Sequence, residues 1–297
     1  MYEDSSSSRL YMAMMECLYQ NHGIRTNICG TVETISAITP ELLTRCYRAF
    51  YRPDNMILTV CGRVSMEEVV AIADSVMGGL APKPPRPCQP AAPRVRVSVS
   101  AFSPRTIQYR PVSKPLFCIG IKCPTAPAEG KALWKRDLTV SVLCETLFSH
   151  AGDFYNTLFE RGTVSPGTSY GFLVGNSPRL PASLAYGYFD LSGECDDPDA
   201  VMDAFLSYVE RIRREGLSRE DFERAKRVIY ADFVAGFDTT EDVASLLGSY
   251  TQDGLCAYDF FDALESITLL EAEALFDRVF RPEQYTLLAV YPLEAAE

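Results

Sequence analysis

The side chains best suited to catalysis are scarce in this chain of 297 residues. Its two histidines are His22 and His150, and neither has a second histidine four positions away. A helix that binds zinc for hydrolysis needs two imidazoles one turn apart, with a glutamate as general base. Both histidines instead follow predicted helices, where an imidazole can interact with the last carbonyl groups. The sequence therefore predicts structural roles for His22 and His150.

Ten cysteines raise the question of a metal site or a nucleophile. They fall at positions 17, 29, 46, 61, 88, 118, 123, 144, 195 and 256, with no Cys-x-x-Cys pair. Zinc sites usually draw two sulfurs from one short turn, and that spacing is missing. Cys144 and Glu145 with His150 offer a nucleophile and a base, but residues six apart on a helix point to different sides. The sequence favours reduced structural thiols over an unrelated α/β enzyme that uses Cys144 or His150.

Charge and hydropathy exclude several classes of function. The net charge is -11, from 28 basic and 39 acidic side chains. This argues against nucleic-acid binding, which depends on clustered Lys and Arg. No run of 18 apolar residues is present, so no membrane-spanning segment is expected. The first residues are acidic and polar, unlike a secretory signal peptide, and a cytoplasmic location is predicted.

A proline-rich segment divides the chain into two parts. Residues 81–94 contain six prolines, a composition typical of an extended polyproline II linker. We expect residues 1–80 to form one α/β unit and residues 95–297 to form a second, larger one.

Helix caps and apolar periodicity predict the elements of both parts. The first part has predicted helices over 9–19, over 40–50 after the cap Thr39, and from 66 after the capping pair Ser65 and Glu68, with a strand over 56–61. The second part has predicted strands over 95–100, 106–109, 116–122, 168–174, 183–192 and the terminal segment. Its predicted helices cover 131–149, 154–161 and 198–214. Three more helices are predicted after the caps Ser218, Asp238 and Thr268. This order predicts an α+β fold, an antiparallel-rich sheet with helices packed on one face.

A stretch near the start is repeated at the end of the chain. Residues 38–62 align with residues 267–291 at an offset of 229, and both copies run from Ile-Thr through a helical segment to an aromatic-Arg-Pro turn. So long a period indicates a duplicated domain, because solenoid repeats span roughly 20–50 residues. The second copy has a full domain ahead of its terminal strand, whereas the first copy does not. We therefore expect the first copy to be incomplete and the chain to be truncated at its N-terminal side.

The same stretches carry a family resemblance. They are residues 30–39 (GTVETISAIT), 46–47, 50–56 (FYRPDNM), 61–62, 216–226 (GLSREDFERAK), 237–241 (FDTTE) and 280–283 (FRPE). In this order the chain resembles the insulinase (pitrilysin) family of zinc metallopeptidases. Residues 1–4 and 193–198 are most similar to its bacterial YmfH-like branch. The resemblance covers essentially the whole chain.

The resemblance implies a fold of duplicated half-domains that enclose peptides in a chamber. Family members bind zinc through an inverted His-x-x-Glu-His helix and a later glutamate of the first half-domain, and those positions would all precede Met1. Zinc is thus expected in the intact family member, and no metal ligand or catalytic residue is expected in this chain. Residues 95–297 would be the second, non-catalytic half-domain.

Family members hold substrate with an arginine and a tyrosine of the second half. The nearest matches are Arg161 and Tyr170, although their separation is longer than in the usual motif. Solvation at a helix end and packing within a strand are the alternative roles for these two residues.

Two functions follow from the resemblance. The first is the C-terminal portion of a zinc peptidase, inactive by itself, with a peptide as its partner. The second is a non-catalytic peptide-binding or scaffold subunit that completes the chamber of another insulinase-family chain.

Overall fold

The computed structural model describes residues 6–78, 100–123, 128–175 and 186–293. The helices are α1 (Ser6–Leu18), α2 (Val32–Ser36), α3 (Pro40–Phe50), α4 (Met66–Met77), α5 (Gly130–Phe148), α6 (Asp153–Glu160), α7 (Pro198–Glu215), α8 (Arg219–Ala235), α9 (Thr240–Gln252), α10 (Asp259–Glu265) and α11 (Leu269–Val279). The strands are β1 (Arg105–Arg110), β2 (Leu116–Lys122), β3 (Ser169–Gly175), β4 (Tyr186–Glu194) and β5 (Tyr285–Pro292). The predicted linker at 81–94 lies outside the described residues, as do residues 95–99 and 183–185 of two predicted strands.

The five strands form one mixed sheet in the order β1-β5-β2-β4-β3. β1 is parallel to β5, and the other neighbouring strands are antiparallel. The terminal strand β5 thus lies inside the sheet, where both edges of its backbone have hydrogen-bonding partners. The predicted α+β fold with an antiparallel-rich sheet is confirmed.

Alternating side chains of the strands separate two apolar layers. In β2, Phe117, Ile119 and Ile121 face the larger layer, which contains the buried side chains of α5, α7, α8, α10 and α11. Because successive residues of a strand point to opposite faces, Cys118 faces the other layer. α5 lies at the centre of the helical layer and contacts α8, α10 and α11.

The opposite face of the sheet is covered by α1. Met14, Met15 and Leu18 of this helix are buried against Cys118 and Leu288. Leu18 follows Met14 by four positions and Met15 by three, so helical spacing places these side chains on one side of α1. Most helices therefore lie on one face, as expected, and α1 adds a cover on the other.

The repeat at offset 229 is visible in the structure. α3 and α11 have the same bounds at that offset, and each is followed by a 3-10 turn at the aromatic-Arg-Pro segment, Pro53–Asn55 and Pro282–Gln284. The caps also match, since Thr39 Oγ1 accepts from the Leu42 amide at 3.2 Å and Thr268 Oγ1 from the Glu271 amide at 3.3 Å. Local sequence alone therefore produces the same helix and turn twice.

The two copies differ after the turn. Residues 285–292 form β5, whereas the equivalent residues from 56 onward pair with no strand among the described residues, so the predicted strand over 56–61 is wrong. A strand requires a neighbouring chain to accept and donate its backbone hydrogen bonds, and apolar composition cannot supply one. Leu58 is 67% exposed, whereas its counterpart Leu287 is 2% exposed.

One predicted cap is displaced by a residue. The cap of α9 is Thr239, whose Oγ1 accepts from the Asp242 amide at 3.1 Å, rather than Asp238 paired with Glu241. In both pairs, Asp238 with Glu241 and Thr239 with Asp242, a capping residue is followed three positions later by an acidic residue. The sequence pattern therefore did not distinguish them.

Candidate functional site

Tyr170 connects β3 to the central helix α5. Its hydroxyl donates to Glu145 Oε2 at 2.7 Å, and its ring packs against the larger apolar layer. Burial raises the pKa of the Tyr170 phenol, and the hydrogen bond to Glu145 raises it further. The side chain is thus a neutral donor held by Glu145, a residue that the sequence patterns did not connect to Tyr170.

His150 belongs to the same aromatic cluster, which consists of His150, Tyr155 and Tyr170. Its Nε2 lies 2.9 Å from the Thr168 carbonyl oxygen, and its ring centroid is 4.3 Å from that of Tyr155 and 5.6 Å from that of Tyr170. The cavity beside the cluster measures about 10 Å³. Such a space holds about one water molecule, so this cavity has no room for a substrate side chain.

His22 has a different role from the predicted contact with the end of a helix. Its Nδ1 accepts from the Ile24 amide at 3.0 Å and so caps the 3-10 turn Gly23–Arg25. The ring also lies between Tyr19 and Tyr186, at centroid distances of 5.5 and 5.2 Å. A histidine that starts a turn in this way needs no metal to explain its position.

Cys144 is unsuited to nucleophilic chemistry. Its side chain is buried, and Sγ lies 3.7 Å from the Gly171 carbonyl oxygen. Burial raises the pKa of the thiol well above its ordinary value, which disfavours the reactive thiolate. The geometry agrees with the preferred interpretation of Cys144 as part of the core.

Arg161 lies at the C-terminal end of α6 and is exposed. Within the described part of the chain, no hydrogen bond or ring contact joins Arg161 to Tyr170. The two predicted substrate-binding residues are therefore presented separately, Arg161 to solvent and Tyr170 partly buried at the sheet.

A larger cavity lies on the opposite face of the sheet. It has a volume of about 440 Å³ and is bounded by α1, the start of β2 and β3, and the end of β4. Asp190 of β4 lines it, and burial raises the pKa of this carboxyl to about 6. Sequence reasoning missed Asp190, although an acidic residue between Phe189 and Leu191 in an apolar strand was a usable signal.

A metal centre is not formed by the side chains that the structure describes. Over residues 6–78, 100–123, 128–175 and 186–293, no group of three or more His, Cys, Asp and Glu side chains is placed to hold an ion. Across the same ranges, no helix is both long and apolar enough to cross a membrane.

Comparison with known proteins places the chain in a family. Residues 37–229 match the family described as the peptidase M16 inactive domain. A Bacillus subtilis protein named as the uncharacterized zinc protease YmfH is 28% identical over 294 residues, which cover 98% of this chain and 66% of YmfH. A crystal structure of an M16-like peptidase from Alicyclobacillus acidocaldarius has a TM-score of 0.87 at 27% identity, covering 98% of this chain and 67% of that one.

A shorter similarity connects the chain to a eukaryotic protein. Over 64 residues it is 38% identical to a protein of Schizosaccharomyces pombe named as a probable mitochondrial-processing peptidase subunit beta, covering 22% of this chain and 14% of that protein.

These matches confirm the resemblance seen in the sequence. The matched residues 37–229 extend from just before α3 into α8 and include β1 to β4. The chain spans about two thirds of the length of YmfH and of the Alicyclobacillus protein. The chain belongs to the peptidase M16 (insulinase) family, and it matches the inactive domain of that family.

Proposed function

We propose that this chain is the non-catalytic, peptide-binding portion of an insulinase-type zinc peptidase. The match of residues 37–229 to the inactive domain is the observation that supports this most. The intact protein would hydrolyse peptides through a zinc-bound water, since zinc lowers the pKa of its water and polarises the peptide carbonyl. The sequence contains no His-x-x-Glu-His, so polypeptide outside it would supply the zinc ligands.

We further propose that residues 1–80 belong to the first half-domain and residues 95–297 form the second. The matched copies α3 and α11 support this division, since each would end one half-domain with its helix and turn. α1 would then join the two halves, because it precedes the first repeat and packs on the sheet of the second.

Zinc content and hydrolysis test the catalytic part of this proposal. The purified chain is expected to carry no stoichiometric zinc by mass spectrometry, and to leave a library of quenched fluorescent peptides uncut with or without added zinc. Thermolysin serves as the assay control. One tightly bound zinc per chain, or zinc-dependent cleavage, would overturn the proposal.

Arg161 and Tyr170 are proposed to contact the peptide. The exposed guanidinium of Arg161 is suited to a carboxylate or carbonyl oxygen. The Tyr170 hydroxyl donates to Glu145, so a peptide would meet the ring or an accepting hydroxyl oxygen.

We expect Arg161→Ala to weaken peptide binding several-fold in fluorescence anisotropy. Arg214→Ala, which removes an exposed arginine from the last turn of α7, is the matched control. Equal losses in both variants would argue against Arg161.

The alternative, a subunit that completes the chamber of another chain, is supported by the exposed first copy. Phe50 is 63% exposed, whereas its counterpart Val279 is fully buried. Leu58 and Leu287 differ in the same way. Exposed apolar surface of this extent is typical of an interaction site. A second insulinase-family chain would cover it, and the S. pombe relative is itself named as a subunit.

Oligomeric state tests this alternative. We expect light scattering after gel filtration to show a complex, with itself or with a co-expressed family member, that Phe50→Glu and Leu58→Glu disrupt. Tyr258→Glu, at an apolar side chain 86% exposed outside the repeat, is the control. A monomer at every concentration, with no complex on co-expression, would contradict it.

The DNA upstream of Met1 separates the two functions, since an in-frame His-x-x-Glu-His supports the first and a stop codon the second.

We infer a cytoplasmic location. The nine cysteines that the structure describes are free, which suits a reducing compartment. Cysteine alkylation in intact cells, with and without prior reduction, would reveal disulfides if this inference is wrong.

A further inference from the structure

The cavity of about 440 Å³ on the α1 side of the sheet is unused by the proposed zinc chemistry and by Arg161 and Tyr170. We call it the Asp190 cavity, and its walls are residues of α1, β2, β4 and the segment that leads into β3. Its volume lies in the range of small-molecule and side-chain binding sites. A ligand for it must match both its apolar floor and its polar rim.

The floor of the Asp190 cavity is apolar. Leu10 and Met14 of α1 and Cys118 of β2 are buried there, and Cys118 Sγ lies 3.2 Å from Met14 Sδ. These three side chains belong to the smaller apolar layer, so the floor is a continuation of packed core. An aliphatic segment of a ligand would be stabilised against it by removal from water.

The upper wall is polar and carries negative charge. Asp190 and Glu194 of β4 line it together with serine hydroxyls, and no Lys, Arg or His is among the described lining residues. Ser169 Oγ and Ser192 Oγ lie 3.2 Å apart and form one side of the wall. The lining thus has acceptors and net negative charge, which excludes an anionic ligand.

Gly171 makes room for the Asp190 carboxylate. The two residues are paired across β3 and β4, and a β-carbon at position 171 would lie 2.9 Å from Asp190 Oδ1. The carboxylate therefore lies over the backbone of a residue without a side chain. No hydrogen bond or ion pair to the Asp190 side chain is present among the described residues.

We propose that the Asp190 cavity binds the basic side chain of a peptide, lysine above all, with its aliphatic stem on Leu10 and Met14 and its ammonium group at Asp190. This inference rests on the proposed peptide-binding function and deepens it by assigning a subsite and a side-chain class. The serine hydroxyls accept the remaining ammonium hydrogens.

The physical reason is the cost of leaving Asp190 charged and unpaired. Burial raises its pKa to about 6, so at neutral pH the protein holds an ionised carboxylate in a partly buried position. A cation that enters the cavity offsets this cost, and it does so more than the same cation at an exposed carboxylate. A lysine side chain also buries its methylene groups while its charge stays at a polar rim.

Matched peptides test the subsite. The probes are acetyl-Gly-Lys-Gly-amide and acetyl-Gly-norleucine-Gly-amide, which share an aliphatic stem and differ in the ammonium group, titrated into the ¹⁵N-labelled full chain. We expect the lysine peptide to bind at least tenfold more tightly, with shifts at residues of the cavity. Equal affinity, no binding of either peptide, or shifts elsewhere would overturn the proposal.

Two variants and a control identify the site. Asp190→Asn keeps the shape and removes the charge, and should weaken the lysine peptide at least tenfold while leaving the norleucine peptide unchanged. Ser192→Leu fills the cavity without altering charge and should abolish binding of both. Asp203→Asn, on an exposed position of α7, makes the same change in net charge and should have no effect. Circular dichroism confirms folding, and retained binding in either cavity variant would place the ligand elsewhere.

Failure of this test and failure of the proposed function are distinguishable. Peptide binding that depends on Arg161 but not on the lysine or on Asp190 would overturn the subsite alone. Loss of all peptide binding in the unmodified chain would overturn both.

Discussion

Met14 of α1 lies directly against the backbone of Gly120 in β2. A β-carbon at position 120 would lie 2.9 Å from Met14 Cγ and 3.0 Å from Thr286 Cγ2, closer than packed carbon atoms approach. This contact brings α1 onto the face of the sheet opposite the main helical layer. It also forms part of the floor of the Asp190 cavity, through Met14.

Gly120→Ala should therefore destabilise the protein by about 1–3 kcal/mol, the usual cost of overpacking a core. The added methyl group must displace Met14 or Thr286, both of which are buried. Urea unfolding measures the change. Gly23→Ala is the control, since a β-carbon added at position 23 would have no other atom within 4 Å. Equal stability of the two variants would show that α1 does not pack as described.

Asp190→Asn should stabilise the free protein at neutral pH. The pKa of Asp190 is raised from 3.8 to about 6 in the folded state, so the native protein binds this proton more tightly than the unfolded chain does. Stability from the protonated form is complete below about pH 4 and is lost as the pH rises through about 6. The variant avoids that loss and should gain about 1–3 kcal/mol at pH 7.5.

The pH dependence of this gain is the diagnostic result. Thermal unfolding at pH 4 and pH 7.5 should show the stabilisation of Asp190→Asn at the higher pH only. The other titratable groups near this carboxylate are Tyr11, Cys118, Cys144, Tyr188 and Glu194. The thiols of Cys118 and Cys144 stay neutral over this range because burial raises their pKa values. A gain of the same size at both pH values would mean that charge is not its cause.

The paired caps Thr39 and Thr268 should respond differently to the same substitution. Thr268→Ala removes the cap of α11, a helix packed in the core, and should cost about 1 kcal/mol of global stability. Thr39→Ala removes the equivalent cap of α3, none of whose residues is buried. Its effect should be local fraying, visible in hydrogen exchange of α3 but not in the global unfolding midpoint. A shift in that midpoint for both variants would indicate that α3 is covered.

Cysteine alkylation should follow burial. Cys29, Cys46 and Cys256 are exposed and should react with iodoacetamide in the native protein, whereas Cys118 and Cys144 are buried and should react only after unfolding. Raised pKa values of the buried thiols slow the reaction further. Peptide mapping by mass spectrometry gives the order. Rapid native modification of Cys144 would reopen its role as a nucleophile.

Much of the secondary structure was predictable because it depends on neighbours in sequence. Thr39, Ser65 and Thr268 were identified as caps from residues no more than three positions away, and the structure shows their side chains accepting from those amides. The apolar run over residues 116–122 located β2 for the same reason. The family was identified from the order of such segments.

Burial and site geometry were decided only by the tertiary structure. Similar local patterns produced β5 in one copy and an unpaired segment at 56–61 in the other, because only residues 285–292 have β1 and β2 as neighbours. The Tyr170–Glu145 hydrogen bond joins residues 25 positions apart, and the Asp190 cavity needs α1 to cross a sheet whose strand β2 is about 100 residues away in the chain. Sequence determines which hydrogen bonds a helix makes with itself. Which apolar face is covered, and where a carboxylate is left without a partner, depends on contacts between segments that are distant in the chain.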